Sequence, residues 1–162
     1  MTDEEIKQGM ASFRGVDRRF DFKIKTSRLV FLSDYAHHPA EIAQSVKSVR
    51  ELYKDKKITA IFQPHLYTRT RDFYKDFADS LSLLDEVILT EIYPAREQPI
   101  PGVSSRLIYD NLRPGIEKCI CPKEDILNLL SKKSVEVLIV LGAGDLDNYV
   151  PSITQLLEQQ SK

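Results

Sequence analysis

Apolar residues along this chain fall into short continuous blocks, separated by longer stretches in which they recur on one helical face. The blocks at residues 58–62, 86–92, 116–121 and 135–141 have the length and bounding residues of buried strands. Between them, helical spacing predicts helices. Ile42, Val46 and Val49 follow Pro39; Phe73, Phe77, Leu81 and Leu84 form a second face; residues 104–112 form a third element. Ile126, Leu127 and Leu130, and then Leu146, Tyr149, Val150, Ile153 and Leu157, mark two more. Such alternation favours βαβ units and a mostly parallel sheet. Ahead of them, residues 20–24 and 29–32 are extended runs separated by Lys25-Thr26-Ser27-Arg28, a length suited to a β-hairpin. The pattern therefore predicts an α/β fold with a sheet of about six strands, helices on both faces and one N-terminal antiparallel strand. A leading helix is predicted over residues 2–13, with acids in its first turn and Ile6, Met10 and Phe13 in register, ending at Arg14-Gly15.

The polar and special residues cluster just after the strands. Asp34-Tyr35-Ala36-His37-His38-Pro39 follows one strand, and Gln63-Pro64-His65-Leu66-Tyr67-Thr68-Arg69-Thr70-Arg71 follows a second. Tyr93-Pro94-Ala95-Arg96-Glu97-Gln98-Pro99-Ile100-Pro101-Gly102 and Gly142-Ala143-Gly144-Asp145 follow two more. In a parallel sheet these four loops share one edge, where ligands bind and helix N-termini present free N–H groups to anions. Individually the residues stay ambiguous. Asp34 reads either as a cap for the next helix or as a ligand-binding carboxylate. His37, His38 and His65 suggest zinc only weakly, because neighbouring histidines diverge and no Cys or carboxylate spacing supports them; no metal site is expected. Arg69 and Arg71 at a helix start oppose the helix dipole unless an anion answers them, which favours a bound carboxylate or phosphate. Gly142-Ala143-Gly144 lacks the third glycine of a dinucleotide fingerprint, so tight-turn geometry accounts for it.

Composition narrows the classes. The 162 residues include 23 basic and 24 acidic side chains, a balance that gives no support to a nucleic-acid binder. No apolar run approaches a membrane span, and the acidic start Met1-Thr2-Asp3-Glu4-Glu5 is unlike a signal peptide, so a cytoplasmic location is expected. Cys119 and Cys121, spaced C-x-C, read as buried thiols rather than a disulfide or a zinc pair. A phosphate loop of the form G-x-x-x-x-G-K-[ST] is absent from these residues, so any work on ATP needs a second domain.

Four ordered segments carry a family resemblance: Phe13-Arg14-Gly15-Val16-Asp17-Arg18-Arg19-Phe20, the Asp34 to Pro39 motif, Phe62 followed by the Gln63 to Arg71 motif, and the Tyr93 to Gly102 motif. Together they resemble the C-terminal domain of the Mur ligases, within them the branch that joins L-alanine to UDP-N-acetylmuramate. The resemblance implies a Rossmann-like domain over residues 13–162, with residues 1–12 as the tail of the preceding, central ATPase domain. It implies a cytoplasmic three-domain enzyme of peptidoglycan synthesis. There the N-terminal and central domains are partners in the same chain, and ATP and Mg2+ are held mainly by the central one. Arg19 is then expected to reach the ATP γ-phosphate, Asp34 to accept hydrogen bonds from the ribose, and Tyr35 to lie nearby. His37 and Arg69 are expected at the carboxylate end of the amino-acid or muramyl moiety. Arg71 is a substitute cation, because family members often carry Arg where this chain has Leu66. Arg18, His38, His65 and Arg96 are expected to support the site. The rival readings are a ligase that recycles murein tripeptide, which shares the Ala-His-His-Pro motif, and a stand-alone nucleotide- or anion-binding module.

Overall fold

Strand β6 (Val137–Leu141) lies in the middle of the sheet and is apolar and buried at every position, as a strand covered on both faces requires. In the computed structural model, which describes residues 2–12 and 16–161, six strands pair in the order β1-β2-β6-β3-β4-β5. β1 (Asp21–Lys25) runs antiparallel to β2 (Val30–Asp34); β3 (Ile58–Phe62), β4 (Glu86–Leu89), β5 (Glu117–Ile120) and β6 are all parallel to β2. The Rossmann-like expectation holds, including the single antiparallel edge.

α1 (Asp3–Ser12) comes first, its described side chains exposed, and five further α-helices cover the sheet: α2 (Pro39–Leu52), α3 (Tyr67–Leu81), α4 (Arg106–Asn111), α5 (Ile126–Ser131) and α6 (Val150–Gln160). Alternation along β6 divides the core. Val137, Ile139 and Leu141 join Ile42 and Val46 of α2, Phe77 and Leu81 of α3 and Ile108 of α4 on one face. Leu138 and Val140 join Ile126 and Leu130 of α5 and Ile153 and Leu157 of α6 on the other. The predicted faces of α2 to α6 are thus turned to the core, whereas Ile6 of the predicted leading face is exposed. Thr2 and Glu5 form a reciprocal capping box at the start of α1, whereas Phe13, Arg14 and Gly15 lie outside the described residues, as does the Met10 side chain.

Three expectations need correction. β4 stops at Leu89 rather than running to residue 92, because its neighbour Pro64 has no N–H to continue the ladder. Pairing resumes only as an isolated bridge, in which Tyr93 N–H donates to Pro64 O and Leu66 N–H to Tyr93 O. The last helix begins as a 3-10 turn over Asp145–Tyr149 and becomes α-helical at Val150. Cys121 is buried, with burial pushing its thiol up to about 11, but Cys119 is only half-buried on the edge strand β5; both are free. Among the described residues no helix is long and apolar enough to cross a membrane.

The register of the sheet places the site. Asp34 pairs with Leu141, Leu141 with Phe62, and Phe62 with Leu89, so four strands end in one row. At about 4.8 Å per strand spacing, the row spans about 14 Å. β2 and β3 lead into helices on one face and β6 into a helix on the other, which opens a crevice above β6.

Candidate active-site edge

The turn that precedes β1 overhangs this row. Arg19 N–H donates to Val16 O at 3.1 Å, and two residues flanking Arg19 take left-handed backbone, Arg18 at φ 62° and Phe20 at φ 47°. Neither is glycine, so each costs about 1–2 kcal/mol. Arg18 shows what holds the turn there. Its carbonyl accepts from Tyr35 N–H at 2.6 Å, its guanidinium lies 4.7 Å over the Tyr35 ring, and its Nε stands 3.1 Å from Oδ2 of Asp147. That last contact is a charge pair and not an aligned hydrogen bond: Nε and Nη2 are both buried without an acceptor. Arg19, by contrast, is exposed at the mouth of a cavity of about 380 Å³, lined also by Asp34, Tyr35, Glu41, Ser45 and Ser48.

Asp34 does not cap α2. Its Oδ1 accepts from Ala36 N–H at 3.1 Å, and its Oδ2 accepts from the Ser45 hydroxyl across the cavity floor. The cap is His38, whose Nδ1 accepts from Ala40 N–H while the Glu41 carboxylate accepts from the N–H groups of His37 and His38. Those backbone bonds hold Glu41 below the usual carboxylate range. His38 is accordingly exposed and packs on Phe73, 5.3 Å between ring centres, away from the other histidines.

His37 and His65 do meet, at 5.9 Å between rings, in a file that runs Tyr35, His37, His65, Tyr93 along the edge. Tyr35 O is 3.0 Å from Nδ1 of His37; a carbonyl only accepts, so Nδ1 carries the proton and the lone pair of the neutral ring lies on Nε2. Nη1 of Arg69 lies 3.4 Å from Nδ1 of His65. Burial first, and then the charges of Arg69 and His37, push the His65 imidazole down toward its neutral form. No group of three His, Cys, Asp or Glu among the described residues is placed to hold a metal ion.

The dipole conflict at the start of α3 has an internal answer that the sequence reading missed. Glu97, from the proline-rich loop, accepts from Thr68 N–H at 3.0 Å and from the Thr68 hydroxyl, which holds its carboxyl below the usual range. A carboxylate at this helix start is therefore already present, so the two arginines are not by themselves evidence of a bound anion. They also part company. Two residues apart on a helix they point about 200° apart. Arg69 reaches the crevice, while Arg71 is exposed and gives Nε to Asp72 at 2.7 Å, so it does not join the group. Arg96 sits exposed in a turn beside Ala95, whose φ is 51°. Leu66, at the N-cap of α3 with φ 72°, carries no cation and contributes its carbonyl to Thr70.

Gln63 is a second residue that the sequence analysis passed over. It is fully buried, donates from Nε2 to Asp145 at 2.8 Å and accepts at Oε1 from Leu146 N–H at 3.0 Å. Both glycines of the nearby loop pack against it, although Gly142 also has a φ of 139° that by itself favours glycine. A Cβ on Gly142 would lie 2.9 Å from Gln63 O, and one on Gly144 only 2.3 Å from Gln63 Oε1. Turn geometry alone does not explain Gly144, whose φ is −89°. Asp145 also pairs with Lys123 at 2.5 Å. A buried glutamine after a strand resembles many core polar residues, so only the loop packed against it identifies its task.

Known proteins place this edge in context. One solved structure, the UDP-N-acetylmuramate-alanine ligase MurC of Thermotoga maritima, superposes with a TM-score of 0.73 at 30% identity, covering 96% of this chain and 33% of that one. A murein peptide ligase from Psychrobacter arcticus shares the fold, with a TM-score of 0.70 at 17% identity over 93% of this chain and 32% of that one. Among curated sequences, the UDP-N-acetylmuramate--L-alanine ligase of Phocaeicola vulgatus is 78% identical over 99% of the chain and 35% of its own length. That of Parabacteroides distasonis is 55% identical over 97% of the chain and 34% of its own length. The chain thus spans about a third of the length of the curated relatives it matches. The profile described as Mur ligase, glutamate ligase domain matches residues 18–146, a stretch that runs from the overhanging turn through the glycine loop, and the chain belongs to that family.

Proposed function

We propose that this chain is the closing domain of an ATP-dependent ligase that joins L-alanine to UDP-N-acetylmuramate in the cytoplasm, with residues 13–162 forming the domain and residues 1–12 ending the one before it. One observation carries the reading. Arg19, Asp34, Tyr35, His37, His65 and Arg69, scattered over fifty positions of sequence, form one continuous file along the carboxyl edge of the sheet. The identity of 78% to an alanine-adding ligase favours L-alanine over a murein tripeptide as the acceptor.

The residues fit the nucleotide. A cavity of about 380 Å³ suits part of a small molecule, and Asp34, already steadied by Ala36 and Ser45, keeps lone pairs free for ribose hydroxyls. Arg19 stands exposed at its mouth, a fixed positive charge for the oxygens of a γ-phosphate as charge shifts during transfer. Phosphoryl transfer from ATP to the muramyl carboxylate would give an acyl phosphate and ADP, and attack by the amine of L-alanine would then expel inorganic phosphate, with loss of the amine's proton, to form the amide. His37 and Arg69, further along the file, would orient the amino-acid end, Arg69 by two parallel hydrogen bonds to a carboxylate. Arg18, His38 and His65 would act by holding neighbours in place. Mg2+ and most of the triphosphate would be held by the central domain.

The test is an acceptor competition in the full-length parent protein, with L-alanine, L-serine, glycine and murein tripeptide supplied together. Preferential use of L-alanine is expected. Preference for the tripeptide, or no amide formation with any of them, would refute the reading. The 162 residues alone are expected to form no amide.

A further inference from the structure

The structure links two loops that the proposed chemistry treats separately. Arg18 occupies the third position of the turn from Val16 to Arg19, a place that favours glycine because its φ is 62°. Four contacts fix it: its N–H toward Asp21 at 3.4 Å, its carbonyl on Tyr35 N–H, its guanidinium over the Tyr35 ring, and its Nε against Asp147. Asp147 is itself placed by the buried network at the glycine loop, where Gln63 binds Asp145 and Leu146 and the 3-10 turn of residues 145–149 begins. A line of contacts therefore runs from the end of β3, through the loop after β6, to the residue next to Arg19.

We propose that Asp147, acting through Arg18, is a positioning residue for Arg19: the pair holds the strained turn so that the Arg19 guanidinium is presented over the cavity. Asp147 is not among the residues that line the cavity. The two side chains are 34% and 32% exposed, so their charge pairing adds little to the stability of the fold. What it fixes is the direction in which the turn points. The proposal rests on the reading of Arg19 as the γ-phosphate contact.

A double-mutant cycle in the full-length ligase separates the two. Arg19→Ala, Asp147→Ala and the double variant are compared for kcat, for KM of each substrate and for thermal midpoint. Asp147→Ala is expected to lower kcat about 10- to 100-fold with the KM for L-alanine unchanged and the midpoint within about 3 °C. The double variant should be no slower than Arg19→Ala, because a misplaced group that is absent has nothing left to lose. Asp147→Glu should recover much of the rate. Equal kcat in Asp147→Ala and the parent would overturn the proposal, as would a double variant slowed by the product of the two single losses. If Arg19→Ala itself leaves kcat intact, the assignment of Arg19 fails and the positioning role falls with it.

Discussion

Gly144 is a glycine because the Gln63 carboxamide stands where its side chain would be, with Oε1 2.3 Å from an ideal Cβ. Tyr93 closes the other side, its own Cβ 2.8 Å away. Gln63 cannot swing clear without abandoning Asp145 and the Leu146 N–H. Gly144→Ala is therefore expected to cost about 1–3 kcal/mol, and adding Gln63→Ala should make the second change less harmful than it is alone. Urea unfolding of the four chains measures this; equal stability of Gly144→Ala and the parent would contradict it.

The two cavity residues are expected to fail differently. In the full-length protein Arg19→Ala should depress kcat by about 100-fold or more, as loss of a contact made chiefly in the transition state does. Asp34→Ala should raise the KM for ATP by about 30-fold, the equivalent of about 2 kcal/mol of ground-state hydrogen bonding. Steady-state kinetics distinguish them, and the reversed pattern would mean that the roles are exchanged.

His65 reports on its neighbours. Burial and the Arg69 and His37 charges hold its folded value below the ordinary one, so the neutral ring contributes stability that is present above the unfolded value and lost as pH falls through the folded one. Arg69→Ala removes one of the opposing charges and should move the His65 titration upward in an NMR pH series. An unmoved midpoint would show that Arg69 does not sit beside it in solution.

At the opposite edge, Glu86 is buried yet ionised. Burial alone would push its carboxyl up, but the hydrogen bond and charge of Lys133, with Lys57 at 3.4 Å and Thr59 at 3.1 Å, outweigh that and hold it below the ordinary value. The folded value thus lies under the unfolded one, so the stabilisation is complete above the unfolded value and fades as pH drops through the folded one. Lys133→Met should cost about 2 kcal/mol at neutral pH and bring on acid unfolding at a higher pH. Thermal melts between neutrality and strong acid test both parts.

Glu97 makes a prediction about order at the start of α3. Glu97→Ala should raise amide hydrogen exchange at Thr68 and Arg69, while changes beyond the first turn should be slight. Because its carboxyl is held below the ordinary range by Thr68, acidification should reproduce the effect in the parent chain. Unaltered protection in Glu97→Ala would remove the cap from the account.

What could be read ahead of the fold was local. Continuous apolar blocks marked β3 and β6 because a strand covered twice has no polar face, and the shared edge followed from parallel strands. The file of Arg19, Asp34, His37 and Arg69 was legible through motif resemblance, although its continuity depended on pairing between Asp34, Leu141 and Phe62. What escaped were effects with distant causes. Glu97 reaches back 29 positions to Thr68, and Gln63 acts across 82 positions on Asp145. The early end of β4 came from a proline in its neighbour rather than from its own residues. Arg71 was grouped with Arg69 by proximity in sequence, which helix geometry undoes.

The central place of β6 has a consequence for how the protein comes into being. β2 and β3 do not pair with one another; each bonds to Val137–Leu141, which a ribosome adds more than seventy residues after β3. Until then the β1–β2 hairpin and the β3 to β5 layer lack the strand that joins them, and any half-sheet formed early would present an unpaired inner border. The late strand is the keystone. Truncation just before it is expected to leave the two sides of the sheet unjoined.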